Sequence, residues 1–344
     1  MKRKWKRSAM ALFSGTVLML AACGNNTSAP EKKEEKPDDA AKQEESKKYK
    51  IGITQIVEHD SLNAASDGFK AALKDAGIDV EYDSQIAQGD NSANTSIANN
   101  LVSEGVDLIF ANSTPSAQAA ASATSDIPIV FTSVTDAEGA ELVESNEKPG
   151  GNVTGTVDTH PDAIPNTLKF LKEELKAKKV GMVFNSGEQN SRAQVDSIKK
   201  LIKDEGLGLE IEEASVATSA DVKQAAESLV GKVDSMYTIT DNTVVSALES
   251  VVSVANENKL PMMVGEFDSV KRGGLAAYGF EYYDIGYEAG EMAVKILKGE
   301  GEPAEMPVQY PQNLKFVINK ETAEAIGVKV KDEWKAEDVN DSEK

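Results

Sequence analysis

The sequence is poor in the residues that most site chemistries need. Its single cysteine, Cys23, excludes an intramolecular disulfide and any cysteine-based metal site. There are only two histidines, His59 and His160. Without cysteine partners they make a weak ligand set, so we expect no metal and no cofactor. Aromatic residues are 6% of the chain, which disfavours a site that stacks a sugar ring between two of them. Basic residues are outnumbered, and the net charge of −20 argues against nucleic acid or an anionic membrane surface as partner. No Walker loop, G-x-G-x-x-G, G-x-S-x-G or H-E-x-x-H occurs. The many carboxylates read as solvated helix faces, because spacing singles out no acid–base pair. An enzymatic reading therefore lacks a nucleophile–base or metal set.

What is present begins at the amino terminus. Lys2, Arg3, Lys4, Lys6 and Arg7 precede a short apolar run, residues 10–20, and then Leu20-Ala21-Ala22-Cys23-Gly24. This is the pattern of a secretory signal (residues 1–22), too short and wrongly flanked for a stable transmembrane helix. Its end resembles the lipobox of bacterial lipoproteins. That resemblance implies cleavage before Cys23, a lipid on its sulfur, and anchoring to the outer face of the cell membrane. Losing five basic residues would take the net charge to about −25. Residues 23–48 follow as a linker rich in Lys, Glu, Asp, Ser and Pro, with no large apolar residues to bury. Residues 331–344 read as a charged tail, with Trp334 in solvent.

From residue 49 short apolar runs alternate with amphipathic stretches. Strands are expected at 50–56, 78–82, 106–110 and 127–131, with helices between them at 62–76, 91–104 and 116–124. After residue 156 the alternation starts again, with strands at 180–184, 209–211, 233–239, 261–264 and 275–278. A long helix from 283 to 297 and a last strand at 314–319 follow. Repeated βαβ units predict an α/β protein of two doubly wound parallel-sheet lobes. Such sheets bind ligands outside the carboxyl ends of their strands.

The strand ends are therefore the candidate site. The run Val106-Asp107-Leu108-Ile109-Phe110 passes into Ala111-Asn112-Ser113-Thr114-Pro115-Ser116, a polar turn opening a helix, with Thr114 as a possible N-cap. Unpaired N–H groups and the helix dipole suit a carboxylate there. The other reading is a helix start whose hydroxyls satisfy only their own backbone. Gln55, His59 and Ser133 end strands of the first half; Asn190, Ser191, Asp241 and Phe267 end strands of the second. Asp241 could hold an ammonium group or simply cap the following helix. Phe267 is the candidate for packing against an aromatic ligand.

Two similar halves in one exported chain resemble the type I periplasmic-binding-protein fold. More specifically, residues 49–330 resemble the ABC-transporter substrate-binding family that includes tryptophan- and tyrosine-uptake lipoproteins. The matching stretches are Ile53-Thr54-Gln55-Ile56-Val57-Glu58-His59, Asn112-Ser113-Thr114-Pro115-Ser116-Ala117, Gly150-Gly151-Asn152-Val153-Thr154-Gly155, Thr240-Asp241-Asn242 and Tyr282-Tyr283-Asp284-Ile285-Gly286. The resemblance implies a monomeric, extracytoplasmic receptor that captures a small zwitterion, an aromatic amino acid such as tryptophan, and delivers it to an ABC permease. It implies three chain crossings between lobes: residues 49–157 with 282–308 in the first lobe, 158–281 with 309–330 in the second. It also tips Asp241 toward the ligand ammonium, with the carboxylate near Thr114, Ser116 and Ser133 and within reach of Asn190 or Ser191. A sugar or nucleoside is the alternative cargo. A regulator of the LacI type shares the fold, but a signal peptide stands where its DNA-binding helices would be.

Overall fold

The computed structural model describes residues 47–340. The residues read above as a signal segment, Cys23 and most of those read as a linker lie outside the described residues. Lobe 1 opens with β1 (Tyr49–Gln55), α1 (Asp60–Asp75), β2 (Val80–Ile86), α2 (Asn91–Ser103), β3 (Leu108–Asn112), α3 (Thr114–Ala123), β4 (Ile129–Val134) and β5 (Val153–Val157). Lobe 2 continues with α4 (Ala163–Glu173), β6 (Lys179–Asn185), α5 (Gln189–Asp204), β7 (Glu210–Val216), α6 (Val222–Leu229) and β8 (Ser235–Thr238). Then come α7 (Asn242–Val245), α8 (Leu248–Glu257), β9 (Met262–Val264), α9 (Phe267–Lys271) and β10 (Ala276–Gly279). The chain ends with α10 (Tyr282–Leu297), β11 (Lys315–Ile318), α11 (Lys320–Ile326) and β12 (Glu337–Asp338).

The first sheet has order β2-β1-β3-β4-β5, all parallel. The second has order β12-β11-β10-β9-β8-β6-β7, parallel except where β11 runs against β10. The inner strands β3 and β4 are buried at every position, as strands covered by helices on both faces must be. The edge strands β2 and β7 instead carry Glu81 and Asp83, and Glu210, Glu212 and Glu213. Charge on an edge discourages pairing with another chain.

The chain passes between lobes three times. It leaves lobe 1 after β5, returns after β10 so that α10 packs on α1, β4 and β5, and leaves again after Gln309, which pairs with Thr156. The return is fixed by small residues. A Cβ on Gly286 would lie 1.9 Å from the Ala65 carbonyl oxygen, and one on Gly68 would lie 2.1 Å from that of Tyr283. Helix glycine costs about 1 kcal/mol relative to alanine, and here that cost permits two backbones to touch.

Residues 331–340 are not a free tail. β12 adds to β11, and Trp334 sets its ring edge against Phe170, centroids 4.8 Å apart, while its indole N–H donates to Glu174 at 2.8 Å. Apolar Trp334 and buried Val339 among the charges explain the docking. One further reading changes: Phe267 opens α9 instead of ending a strand.

Candidate functional site

The carboxyl ends of both sheets meet at the lobe interface. A narrow space with room of about 10 Å³ for water-sized groups lies there, with His59, Leu62 and Ser133 on the lobe 1 side. Asn190, Thr240, Asn242, Val245 and Glu266 face them from lobe 2, and Asp158 and Tyr282 come from the crossing segments. Three buried atoms on its wall have no hydrogen-bond partner among the described residues: Ser133 Oγ, Asp158 Oδ1 and Asn190 Oδ1. An orphaned buried polar atom costs about 1–3 kcal/mol, and native structures rarely leave one without a partner. Three converging on one space mark a place for a polar ligand.

Each is positioned by local backbone. Ser133 has a φ of 55°, where the register between β4 and β5 shifts. Such a left-handed serine is uncommon and held by its surroundings. Asp158 follows β5 directly; its N–H donates to the Val134 carbonyl, and Tyr282 donates its hydroxyl proton to Oδ2 at 2.8 Å. Burial pushes the Asp158 carboxyl above its ordinary range. His59 caps α1, with the Leu62 N–H reaching its Nδ1 at 3.4 Å, which leaves the ring proton on Nε2. Burial first, then Arg272, pull its pKa down to about 3, so the ring is neutral. No lysine or arginine lines the space, and two carboxyl groups do. The wall therefore favours a cationic group and offers uncharged donors to an anionic one.

A second small chamber, of about 30 Å³, shares Asp158 and Thr240 with the first. Its wall includes Ile164, Tyr237, Tyr278 and Phe280, and Phe280 stacks on Tyr282 with centroids 5.7 Å apart. A larger groove of about 520 Å³ lies between Ile56, Val57 and Pro115 of lobe 1 and Asn185, Glu188 and Thr218 of lobe 2. It is open to solvent and none of the orphaned atoms lines it, so we place the ligand's polar groups in the enclosed space.

Of the residues expected from sequence, His59, Ser133 and Asn190 line that space. The others lie behind it. Gln55 and Asn112 bond each other and Ser66 inside lobe 1, with further donation from Asn112 to the Leu62 carbonyl at 2.7 Å. Ser116 donates to Asn94, and Thr114 accepts from the Thr135 N–H at 3.4 Å. Thr114 is the first residue of α3 and not its cap; Ser113 takes that place with a φ of 103°. Phe267 is buried against Gly279 in the lobe 2 core.

Asp241 requires the clearest correction. Its Oδ2 accepts from the Asn185 N–H and the Ser191 hydroxyl, both at 2.6 Å, and its Oδ1 from the Val244 N–H at 2.8 Å. It is a fully buried cap of α7, outside the lining, and both oxygens are engaged. Burial, then the Glu188 carboxylate, push its carboxyl up to about 7. Ser191 is spent on the same network.

Sequence reasoning missed Asp158 and Tyr282 as wall residues. For Asp158 a signal existed: an acidic residue directly after a buried strand, at the place where the chain leaves one lobe. Among the described residues no group of three or more His, Asp or Glu side chains is placed to hold a metal ion.

A profile of the ABC transporter substrate binding protein family matches residues 50–339. A tyrosine-binding protein of Clostridioides difficile is 46% identical over 287 residues, covering 82% of each chain. Among solved structures, an ABC domain in complex with L-Trp from Streptococcus pneumonia is 33% identical with a TM-score of 0.79, covering 83% of this chain and 97% of that one. The ligand-free, open structure of a Clostridium difficile substrate binding protein is 42% identical, yet its TM-score is 0.63, with 84% and 98% covered.

Proposed function

The chain belongs to the ABC transporter substrate-binding protein family and has the type I periplasmic-binding-protein fold, and from that premise we propose that it captures an aromatic amino acid between its lobes for import. The observation that carries the reading is the set of three orphaned atoms around an enclosed, lysine- and arginine-free space. Asp158 Oδ1 receives the ligand ammonium, a role expected of Asp241 from sequence alone. The Ser133 hydroxyl and the neutral His59 ring N–H serve the carboxylate, while Asn190 Oδ1, an acceptor, shares the ammonium with Asp158. The ring enters the adjoining chamber beside Tyr278 and Phe280, in the role expected of Phe267.

Capture proceeds by lobe closure. The chain resembles the open, ligand-free relative more in sequence, but superposes better on the L-Trp complex. Two lobes turned about a hinge lower a superposition score without changing identity, so this difference supports a closed arrangement here. Ligand contacts divided between lobes favour that state.

The test is thermal unfolding against a panel of L-amino acids, sugars and nucleosides. L-Tyrosine or L-tryptophan at a hundred times its Kd should stabilise the protein by about 2.7 kcal/mol. N-acetyl-tyrosine, which lacks the ammonium, should give no shift. A panel in which only sugars or nucleosides stabilise would end the amino-acid reading and leave the family intact.

The carrier is a lipoprotein held at the outer face of the cell membrane through Cys23, beside its permease. Residues 20–24 support this, and they lie outside the described residues. Cys23→Ser should move the protein from the membrane fraction into the soluble one; retention in membranes would count against the lipid.

A further inference from the structure

Ser61, at the start of α1 in lobe 1, meets two carboxyl groups of lobe 2. Its hydroxyl lies 2.7 Å from Glu266 Oε2 and 3.0 Å from Asp268 Oδ2. One hydroxyl carries one proton and can donate to only one of them. The other oxygen then faces the serine lone pairs at hydrogen-bond distance, which is attractive only if that carboxyl is itself protonated. Glu266 is 2% exposed, and its oxygens also accept from the Ser269 N–H, both at 3.0 Å, and from the Ser269 hydroxyl. None of these partners is a cation.

We propose that the contact between Ser61, Glu266 and Asp268 is an acid-sensitive latch: closing the lobes takes up one proton, shared by the two carboxyl groups, so mild acid favours the closed state. The proposal rests on lobe closure and not on which ligand is bound.

The charged surroundings fit. Arg272 lies near Glu266 but is held by Glu249 through bonds of 2.8 and 2.9 Å, and Lys271 reaches only Asp268, at 3.4 Å. His59 on the α1 side is neutral, Asp60 beside it adds negative charge, and Tyr282 of α10 stays protonated because burial raises it. Burial, then Asp268, push Glu266 above its ordinary 4.5, outweighing the donations from Ser269 and Ser61, which pull it down. The sign follows. A carboxyl whose pKa is higher in the closed state makes that state bind more protons, so closure gains as pH falls through the closed-state value. The gain is complete below the open-state value. Asp241 does not interfere, because its partners Asn185, Ser191 and Val244 all belong to lobe 2.

The test needs no ligand. Spin labels at Ser103→Cys and Ser228→Cys, in the full chain carrying Cys23→Ser, report the distance between lobes. The short-distance population of the ligand-free protein should grow as pH is lowered from 8 to 5. Within the titration window the closed-to-open ratio should rise up to about tenfold per pH unit, the limit for one proton. Asp268→Asn, which keeps the side-chain shape and removes one charge, should abolish most of that response. A short-distance population that does not grow on acidification overturns the proposal. So does a response that persists in full in Asp268→Asn, which would assign the proton to Asp158. Failure of tyrosine and tryptophan to bind would be a separate result, because this measurement uses neither.

Discussion

Asp158→Asn should all but eliminate ligand binding while leaving the protein folded. The substitution keeps the volume and polarity of the side chain and an oxygen that can accept from the Tyr282 hydroxyl. What it removes is the negative charge at Oδ1, the buried atom with no partner among the described residues. Truncating one member of a buried charge pair costs about 2–5 kcal/mol. Since about 1.4 kcal/mol is tenfold, titration calorimetry with L-tyrosine should show affinity lower by a factor of roughly thirty to several thousand. Unfolding of the ligand-free variant should be unchanged or slightly improved, because a buried carboxyl without a cation is itself costly. Unchanged affinity would remove Asp158 from the site. A matching loss in Asp241→Asn would return the ammonium to Asp241, against its three engaged hydrogen bonds.

The second large effect is on stability. Gly286→Val should destabilise the body by about 1–3 kcal/mol or more, the usual cost of forcing extra atoms into a packed interface. The nearest obstacle to a side chain is the Ala65 main chain, at 1.9 Å from the Cβ position. A carbonyl of α1 cannot step aside as a flexible side chain can, so the helices must separate. The melting temperature should fall by roughly 5–10 °C. Gly299→Ala is the comparison: a Cβ there meets nothing, but its φ of 70° makes any loss a matter of backbone strain alone. A Gly286→Val protein as stable as the parent would mean that α10 does not sit this close to α1.

The alternation of the fold was legible because buried strands and amphipathic helices carry different periods, and glycines such as Gly77 and Gly105 stop the helices between them. The site was legible only as a neighbourhood. Asp241 and Asp158 are both acidic residues next to a buried strand end. One caps a helix that begins at once; the other opens a crossing segment with no helix close enough to use it. That difference depends on where the chain goes next, and a local pattern does not contain it. Phe267 misled for the same reason: the five-residue α9 turns it into the lobe 2 core. Trp334 was hidden by its neighbours, since one apolar ring among charges gives no periodic signal until Phe170 lies beneath it.

The late return of α10 has a consequence for synthesis and export. Tyr49 donates its hydroxyl proton to the carbonyl of Leu297, 248 residues away, and Tyr287 reaches Asp75 across 212. Contacts of such separation form slowly, because a long loop must close before they reward the chain. A chain emerging amino terminus first therefore carries the glycine face of α1 uncovered while all of lobe 2 up to β10 is still being made. Lobe 2 has most of its sheet by then but still waits for β11 and β12, so neither lobe can be completed until the carboxyl-terminal part of the chain is made. Until α10 arrives, the exposed faces of Phe69 and Leu73 are the natural place for a holding chaperone or for aggregation.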